Sequence, residues 1–262
     1  MRVLVKLGGT LLESSAVKSS LAAQIVRAAS EPGVELVVVH GGGKRMTRFL
    51  AERGVESRFV NGLRVTDEAT LDAVVKVFAG SVNHELVAAL QAAGGQAVGL
   101  SGIDAGLTEA EQLSPELGAV GRVVRARPEL LHLLTANHYI PVVACVAGDS
   151  RGNIYNVNAD QMAAACAAAF GADRLLFLTD VDGVLDAEKR LQPLLTVGAC
   201  EALIRDGVAA GGMQAKLESA ISALRQGVGE VRIAAGAAPR VIERLLGGAD
   251  PVGTRLAEAA IQ

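Results

Sequence analysis

Short apolar runs alternate with longer amphipathic segments along almost the whole chain. The first run, Val3-Leu4-Val5-Lys6-Leu7, is nearly continuous, as is typical of a parallel strand that is covered on both faces. Similar runs lie at 35–39, 96–100, 141–146, 174–178 and 230–234. Strands that alternate with helices predict an α/β fold, in which helices cover both faces of a mostly parallel sheet.

Helical spacing of apolar residues predicts most of the segments between these strands. The predicted helices cover 16–29, 43–53, 67–92, 128–137, 158–170, 196–205, 213–226 and 239–246. Asp67 and Asn158 have side chains of the type that caps a helix N-terminus. Two segments are predicted hairpins, 55–65 around Asn61-Gly62 and 108–125. The loop-like composition of 148–153 predicts a boundary between an N-terminal lobe, 1–147, and a C-terminal lobe, 148–262.

The composition predicts a folded protein with a sizeable core, since 50% of the 262 residues are apolar and 20% are charged. A net charge of −3 without a basic run argues against a nucleic-acid groove or a membrane-surface patch. The apolar stretches are strand-sized or interrupted by charge, so neither a transmembrane helix nor a signal peptide is expected. Cys145, Cys166 and Cys200 lie far apart in apolar segments, which favours reduced thiols and a cytoplasmic protein.

The first strand ends in Lys6-Leu7-Gly8-Gly9, a lysine before two glycines. A primary amine is costly to bury without a partner, but open α/β sheets place their ligands at the carboxyl ends of strands. The glycines allow backbone N–H groups to approach an anion, because no Cβ stands in the way. This segment fits a phosphate site, and it equally fits an edge-strand lysine followed by an ordinary turn.

A second glycine segment, His40-Gly41-Gly42-Gly43, joins a strand to a helix. Backbone N–H groups at a helix N-terminus bind anions. A tight turn needs only one glycine, so three glycines favour the approach of a ligand. Neither glycine segment has the Walker A pattern or the dinucleotide fingerprint Gly-x-Gly-x-x-Gly. His40 is predicted to be structural rather than catalytic.

Polar residues at the starts of two helices form the next candidates. Arg64 lies just before the helix cap at Asp67 and could bind a carboxylate through two N–H groups, although a lone arginine of this kind is more often on the surface. Helix capping explains Asn158 and Asp160. It does not explain Asn156, which precedes the cap and could reach into a cleft.

The last candidate segment is Gly211-Gly212-Met213-Gln214-Ala215-Lys216. A lysine one turn into a helix usually lies on a solvated face, but the glycines again indicate that something approaches closely. The sequence offers no Ser/His/Asp set at suitable spacing and no Cys/His metal cluster. This leaves phosphoryl transfer, because that chemistry needs positioning and charge neutralisation more than a nucleophile from the protein.

In this order, the segments resemble the amino acid kinase family, and within it the branch that phosphorylates N-acetyl-L-glutamate. The resemblance runs from Lys6-Leu7-Gly8-Gly9 to Gly253-Thr254-Arg255. Asn61-Gly62-Leu63-Arg64-Val65-Thr66-Asp67 and Asn156-Val157-Asn158-Ala159-Asp160 are its most specific parts, and Leu178-Thr179-Asp180-Val181-Asp182-Gly183-Val184 resembles the family's adenine-nucleotide loop. The implied fold is a three-layer αβα sandwich with about eight central strands, in which the N-terminal lobe binds the acyl-amino acid and dimerises and the C-terminal lobe binds the nucleotide.

The resemblance also implies roles for single residues. Lys6 neutralises charge on the transferring phosphoryl group, Lys216 does so on the ADP side, and Asp160 holds both ammonium groups. The substrate is held by Gly41, Gly42, Gly43, Arg64, Asn156 and Asn158. The nucleotide is held by Lys6, Lys216, Gly8, Gly9, Thr179, Asp180, Val181, Gly183, Gly212 and Met213, with N–H groups of Gly8 and Gly9 on the phosphates. Mg²⁺ arrives with ATP, held by phosphate oxygens and water rather than by protein ligands.

The implied function is ATP-dependent phosphorylation of the γ-carboxylate of N-acetyl-L-glutamate, the second step of arginine synthesis. The alternatives are a carrier-protein-linked aminoadipate or glutamate kinase of lysine synthesis and a non-catalytic nucleotide sensor on the same fold. Such a sensor is expected to have lost Lys6, Asp160 or Lys216, and all three are present. The implied partners are small molecules only, with neither nucleic acid nor membrane.

Two departures from the family's pattern affect these expectations. Ile103 stands where many relatives carry lysine, and 107–118 matches poorly, in a region that borders the active-site lid or hairpin of the family and so bears on substrate preference and closure. The sequence begins at the first strand, without the N-terminal helix that links dimers of arginine-inhibited relatives into hexamers. The resemblance therefore implies a homodimer through the 67–92 helix, without arginine feedback.

Overall fold

The computed structural model describes residues 1–60, 62–247 and 252–258. Its strands are β1 (Arg2–Leu7), β2 (Glu35–His40), β3 (Phe59–Val60), β4 (Leu63–Arg64), β5 (Ala97–Ser101), β6 (Thr108–Gln112), β7 (Val120–Ala126), β8 (Ile140–Ala144), β9 (Val146–Gly148), β10 (Ile154–Val157), β11 (Arg174–Thr179), β12 (Leu194–Thr196), β13 (Glu230–Ala235) and β14 (Thr254–Ala257). Its helices are α1 (Ser15–Ala29), α2 (Gly43–Ala51), α3 (Glu68–Val74), α4 (Asn83–Ala92), α5 (Glu129–Ala136), α6 (Ala159–Phe170), α7 (Val197–Arg205), α8 (Gly211–Arg225) and α9 (Val241–Gly247).

Eight strands form the central sheet, in the order β12-β14-β13-β11-β1-β2-β8-β5. Neighbouring strands are parallel except β13 and β14. Helices pack against the sheet in two groups, α1 with α4 and α9, and α6 with α8. The predicted fold class, a mostly parallel sheet between helices, is confirmed.

The first strand lies in the middle of this sheet, with β11 on one side and β2 on the other. Val3, Leu4, Val5 and Leu7 are all 0% exposed, which explains the nearly continuous apolar run. The edge strand β12 and its neighbour β14 were not predicted from the apolar runs. Their sequences, LLT and TRLA, are short, and the second is interrupted by an arginine.

A second, small sheet lies beside the first and closes on itself in the order β10-β7-β6-β9. Strands β6 and β7 are antiparallel neighbours, which confirms the predicted 108–125 hairpin. Strands β9 and β10 are also antiparallel, so the loop 149–153 is the turn of a hairpin. The division into lobes at 147/148 therefore falls inside this small sheet, and it stays a prediction.

The segment 67–92 forms one long helix with an irregular middle. Asp67 caps it, since its side chain accepts a hydrogen bond from the Thr70 N–H, as predicted. Between α3 and α4, Val75–Val82 is π-helical, which apolar spacing does not predict. In contrast to the expectation from the apolar runs, this 25-residue helix is long and apolar enough to cross a membrane by length and composition alone. It packs on β5, β8 and α1, and core helices of soluble proteins meet the same criterion.

Candidate active site

Lys6, Asp160 and Lys216 converge at the carboxyl end of the central strands. The Lys6 Nζ lies 2.7 Å from Asp160 Oδ1, and the Lys216 Nζ lies 3.0 Å from Oδ2 and donates a hydrogen bond to it. The Lys6 contact is an ion pair, because Oδ1 has no partner in hydrogen-bonding geometry. The three residues are only 7–8% exposed. Two cations share one buried carboxylate, so the cluster carries a net charge of about +1.

The electrostatics of this cluster follow from burial and from the three charges. Burial raises the pKa of Asp160, but the two ammonium groups outweigh it, so the pKa lies below its ordinary value. Burial, followed by the charge of Lys6, lowers the pKa of Lys216, and Asp160 offsets part of this effect. The Lys216 Nζ also lies 5.3 Å from the centre of the Phe177 ring, a favourable cation–π distance. The cluster is therefore ready to attract an anion.

Local structure places each member of the cluster. Lys6 lies near the end of β1, where the ligand crevice of a parallel sheet lies. Asn158 is the N-cap of α6, and its side-chain oxygen accepts hydrogen bonds from the N–H groups of Asp160 and Gln161. This cap fixes Asp160 in the first helical turn. Lys216 lies in the second turn of α8, on the face that packs against α6.

A cavity of about 210 Å³ opens beside Lys6. It is lined by two glycine segments and by polar side chains, which include Gly9, Gly41, Gly42, Gly43, Arg64, Asn156 and Asn158. Thus the structure brings together all of the predicted substrate-binding residues. Asn61 lies outside the described residues.

The glycine segments contact each other at this cavity. A Cβ on Gly9 would come within 3.1 Å of the Gly43 nitrogen, so this approach needs glycine. The N–H groups of Gly9, Gly42 and Gly43 have no hydrogen-bond partner within the described ranges. Gly41 differs, because its N–H lies 3.4 Å from the Leu7 oxygen and donates to it. Three free donors at one end of a helix, next to Lys6, fit an anionic group.

Arg64 lies inside the protein, 8% exposed, although a surface position is the commoner outcome for a lone arginine. Its guanidinium donates to the Ser57 hydroxyl, to the Gly43 oxygen at 3.1 Å and to the Thr47 hydroxyl at 2.8 Å, and it stacks on Phe59. Within the described ranges no carboxylate pairs with it. Burial lowers its pKa, but an arginine stays charged in proteins. A buried cation without a counter-ion indicates an anionic ligand.

Asn156 has a hydrogen-bond partner in the segment that follows β4. Asn156 Nδ2 donates to the Thr66 hydroxyl at 3.0 Å, and Thr66 follows Arg64 after one residue. Asn156 therefore connects β10 to the segment that carries Arg64. The side-chain oxygen of Asn156 takes no part in this hydrogen bond. Asn156 also lines the cavity, which fits its predicted role in substrate binding.

Two of the predicted nucleotide-binding glycines serve the fold in this structure. The Gly8 N–H donates to the Leu178 oxygen at 2.9 Å, so it is not free for a phosphate, contrary to the expectation for this residue. Gly183 is buried, and a Cβ there would come within 2.6 Å of the Thr254 hydroxyl. Its lack of a side chain is explained by packing against β14.

The other predicted nucleotide-binding residues lie on two segments near Lys216. Thr179 ends β11, and the exposed residues Asp180 and Val181 follow it. The charge of Asp180 raises the pKa of Lys216, which indicates that this loop lies close to the cluster. Gly212 and Met213 lie in the first turn of α8, which has no side-chain cap, and the Gly212 N–H has no partner within the described ranges. An uncapped helix end beside a lysine suits phosphates.

Several site residues were missed from the sequence. Thr47 and Ser57 hold Arg64, and Phe59 and Phe78 line the cavity. Thr47 lies one turn after the glycine segment, on α2, so helical spacing from Gly43 was a usable signal. Nothing in the sequence indicates that the others belong to the site.

Comparisons with known proteins agree with this geometry. The family model described as "Amino acid kinase family" matches residues 1–235 of the chain. The chain belongs to the amino acid kinase family. An acetylglutamate kinase of Solibacter usitatus is 65% identical over 259 residues, which cover 99% of this amino acid kinase and 100% of that relative. An acetylglutamate kinase of Carboxydothermus hydrogenoformans is 44% identical and covers 88% of this chain and 83% of the relative.

A solved structure supports the same fold. N-acetylglutamate synthase of Neisseria gonorrhoeae, complexed with coenzyme A and N-acetyl-glutamate, superposes with a TM-score of 0.88 at 26% identity. The match covers 99% of this amino acid kinase but 60% of the synthase chain. The fold with its central sheet is thus shared with a longer chain that is named as a synthase.

Proposed function

We propose that this amino acid kinase transfers the γ-phosphoryl group of ATP to the γ-carboxylate of N-acetyl-L-glutamate, forming N-acetyl-L-glutamyl 5-phosphate in arginine synthesis. The observation that carries the proposal is the pair of cationic positions at one cavity, the Lys6–Asp160–Lys216 cluster and the unpaired Arg64. The full-length relative at 65% identity, named acetylglutamate kinase, supports the choice of substrate.

The two cationic positions suit the two ends of such a substrate. Arg64 binds the carboxylate that does not react, because its guanidinium is fixed and lacks a counter-ion. The reacting γ-carboxylate then lies near Lys6 and the free N–H groups of Gly42 and Gly43. A carboxylate of this type has a pKa of about 4.3, so it is ionised at neutral pH and needs no general base.

The lysines stabilise charge during the transfer. Lys6 faces the cavity and neutralises the transferring phosphoryl group, while Lys216, at the start of α8, neutralises the leaving ADP. Asp160 keeps both ammonium groups charged and in place. The N–H groups of Gly9 and Gly212, with the loop at Thr179, Asp180 and Val181, hold the nucleotide.

ATP is the phosphoryl donor of a kinase, and we propose that Mg²⁺ accompanies it. The described residues contain no group of three or more His, Cys, Asp or Glu side chains that could hold a metal ion. A Mg²⁺ ion that arrives with ATP does not need such a group, because phosphate oxygens and water hold it. When bound, the ion would supply further neutralisation of phosphate charge.

The alternatives differ from this proposal in substrate or in turnover. A kinase that acts on a carrier-linked aminoadipate or glutamate would have the same fold and the same lysines. A nucleotide sensor would bind ATP without turnover, and the paired Lys6, Asp160 and Lys216 argue against it.

A coupled ADP-release assay tests the function. We expect turnover with N-acetyl-L-glutamate, and trapping of the acyl phosphate product by hydroxylamine as a hydroxamate. Free glutamate and aminoadipate serve as competing substrates, and Arg205→Met, in an exposed pair with Asp206 at the end of α7, serves as the control variant. Turnover with another acid but none with N-acetyl-L-glutamate would overturn the proposal.

We also propose a cytoplasmic homodimer that is joined through the 67–92 helix. Fewer than half of the residues in its most apolar window, 44%, are buried inside one chain, and Leu71, Val75 and Val87 are only half-buried, so a partner could cover them further. Light scattering is expected to give the mass of a dimer of 26.9 kDa chains. A hexamer or a monomer would contradict this.

A further inference from the structure

Two polar side chains lie fully inside the protein between the sheet and the long helix, outside the cavity lining. His40, at the end of β2, is 0% exposed, and Asn83, at the start of α4, is 2% exposed. Asn83 follows directly after the π-helical segment Val75–Val82. Buried polar groups of this kind need hydrogen-bond partners, so their partners show what they hold in place.

His40 connects Asn83 to the glycine segment. Its Nδ1 lies 3.0 Å from the Gly41 oxygen, and its Nε2 lies 3.0 Å from Asn83 Nδ2. A carbonyl oxygen can only accept, so Nδ1 carries the hydrogen and Nε2 accepts from the Asn83 amide. Asn83 Nδ2 also donates to the Val142 oxygen of β8 at 2.9 Å, which anchors the pair to the sheet.

The hydrogen bond to Gly41 determines where the next N–H points. In a planar trans peptide, the C=O of one residue and the N–H of the next point in opposite directions. The Gly41 oxygen points towards the buried His40 ring, so the Gly42 N–H points the other way, and it is one of the free donors at the cavity. Phe78, from the π-helical segment, limits movement of this peptide, because a Cβ on Gly42 would come within 3.0 Å of its ring.

We propose that His40 and Asn83 are a positioning pair that aims the Gly42 N–H at the oxygen atoms of the reacting groups. This inference rests on the proposed phosphoryl transfer, since it assigns the direction of one donor in that reaction. Neither residue touches the substrate. The pair lets the long helix and β8 determine the geometry of the glycine segment.

Substitutions of His40 can separate the two hydrogen bonds. An asparagine places its amide nitrogen near the position of Nδ1, whereas a glutamine reaches the position of Nε2. We expect His40→Asn, which keeps the Gly41 contact but loses the link to Asn83, to lower kcat about threefold, and His40→Gln, which loses the Gly41 contact, to lower kcat about 10- to 100-fold. KM for both substrates should change less than kcat, because the donor acts mainly in the transition state. His84→Gln, at the exposed neighbour of Asn83, is the matched control.

A second measurement takes its main result from the unaltered protein, so that result does not depend on how the variants fold. Nitrogen-15 NMR of the His40 ring should show a hydrogen on Nδ1 and none on Nε2, and Asn83→Leu should shift the Nε2 resonance. A hydrogen on Nε2, or equal kcat in folded His40→Asn and His40→Gln, would overturn the pair. If the wild-type protein turns over a different acid, the same comparison is made with that acid, so failure of the proposed substrate remains distinct from failure of the pair.

Discussion

The two cationic positions of the active site are stabilised in opposite ways. Lys6 and Lys216 share a buried carboxylate, whereas Arg64 is held by hydroxyl groups, a backbone oxygen and an aromatic face. The first arrangement keeps its charges in place whether or not a ligand is bound. The second leaves one charge uncompensated until an anion arrives. The proposed phosphoryl site therefore has a counter-ion from the protein, Asp160, whereas the proposed carboxylate site at Arg64 has none among the described residues.

Removing the shared carboxylate should have the largest effect. Asp160→Asn leaves two buried ammonium groups without a counter-ion, so we expect a loss of about 3–5 kcal/mol in the free energy of unfolding. The kcat should fall at least about 100-fold, the scale of one preorganised electrostatic contact. Urea unfolding and ADP release measure the two effects. Asp206→Asn, in an exposed pair with Arg205, should change neither, and wild-type behaviour of Asp160→Asn would contradict the assignment.

Removing the charge of Arg64 should weaken substrate binding without lowering the free energy of unfolding. Arg64→Gln should raise KM for N-acetyl-L-glutamate about 10- to 150-fold, the cost of about 1.5–3 kcal/mol for a hydrogen bond to a charged group. KM for ATP should stay the same, and the free energy of unfolding should stay or rise, because a buried unpaired charge is removed. Arg53→Gln, which replaces an arginine stacked on Phe49 at the surface, is the control. A large loss of stability would show that Arg64 has a structural role instead.

The pH dependence of kcat should show whether Lys216 must be charged during the reaction. Burial and the charge of Lys6 lower the pKa of Lys216. Asp160 and Asp180 offset part of this effect, so the pKa lies below its ordinary value. The charged form is needed, so kcat should fall as pH rises through this lowered pKa, by up to about tenfold per pH unit. In Lys216→Arg, the residue at 216 stays charged, so this decrease should move to higher pH. An identical alkaline profile in both proteins would rule out Lys216 as the titrating group.

The smallest effect should come from a neighbour of Arg64. Thr47→Val removes one hydrogen-bond acceptor of the guanidinium, at a cost of about 0.5–1.5 kcal/mol. We expect KM for N-acetyl-L-glutamate to rise about 2- to 10-fold while kcat stays the same, measured by initial rates. A fall in kcat at unchanged KM would place Thr47 in the chemical step instead.

The central strands and the main charges were predictable from the sequence for physical reasons. Buried parallel strands require continuous apolar runs, and a lysine or several glycines at their ends breaks the packing pattern. The short strands β12 and β14 escaped prediction because they are formed by pairing rather than by their own apolar runs. The π-helical segment escaped because apolar spacing does not distinguish it from an α-helix.

The details of the site depended on contacts between distant segments. The occupied N–H of Gly8 and the packing role of Gly183 depend on Leu178 and Thr254. Neither partner can be identified from the glycine motifs alone. The burial of Arg64 likewise depends on Ser57, shortly before the β3–β4 hairpin, and on Thr47 of α2.

The central position of β1 has a consequence for biosynthesis. Residues Arg2–Leu7 leave the ribosome long before Arg174–Thr179, so they can pair with β2 early, but their other edge pairs with β11, which forms from those later residues. Until those residues emerge, a largely apolar strand has one unpaired edge, which is the kind of surface through which nascent chains aggregate. The strand that carries Lys6 is therefore a part of the nascent chain that we expect chaperones to protect until β11 has formed.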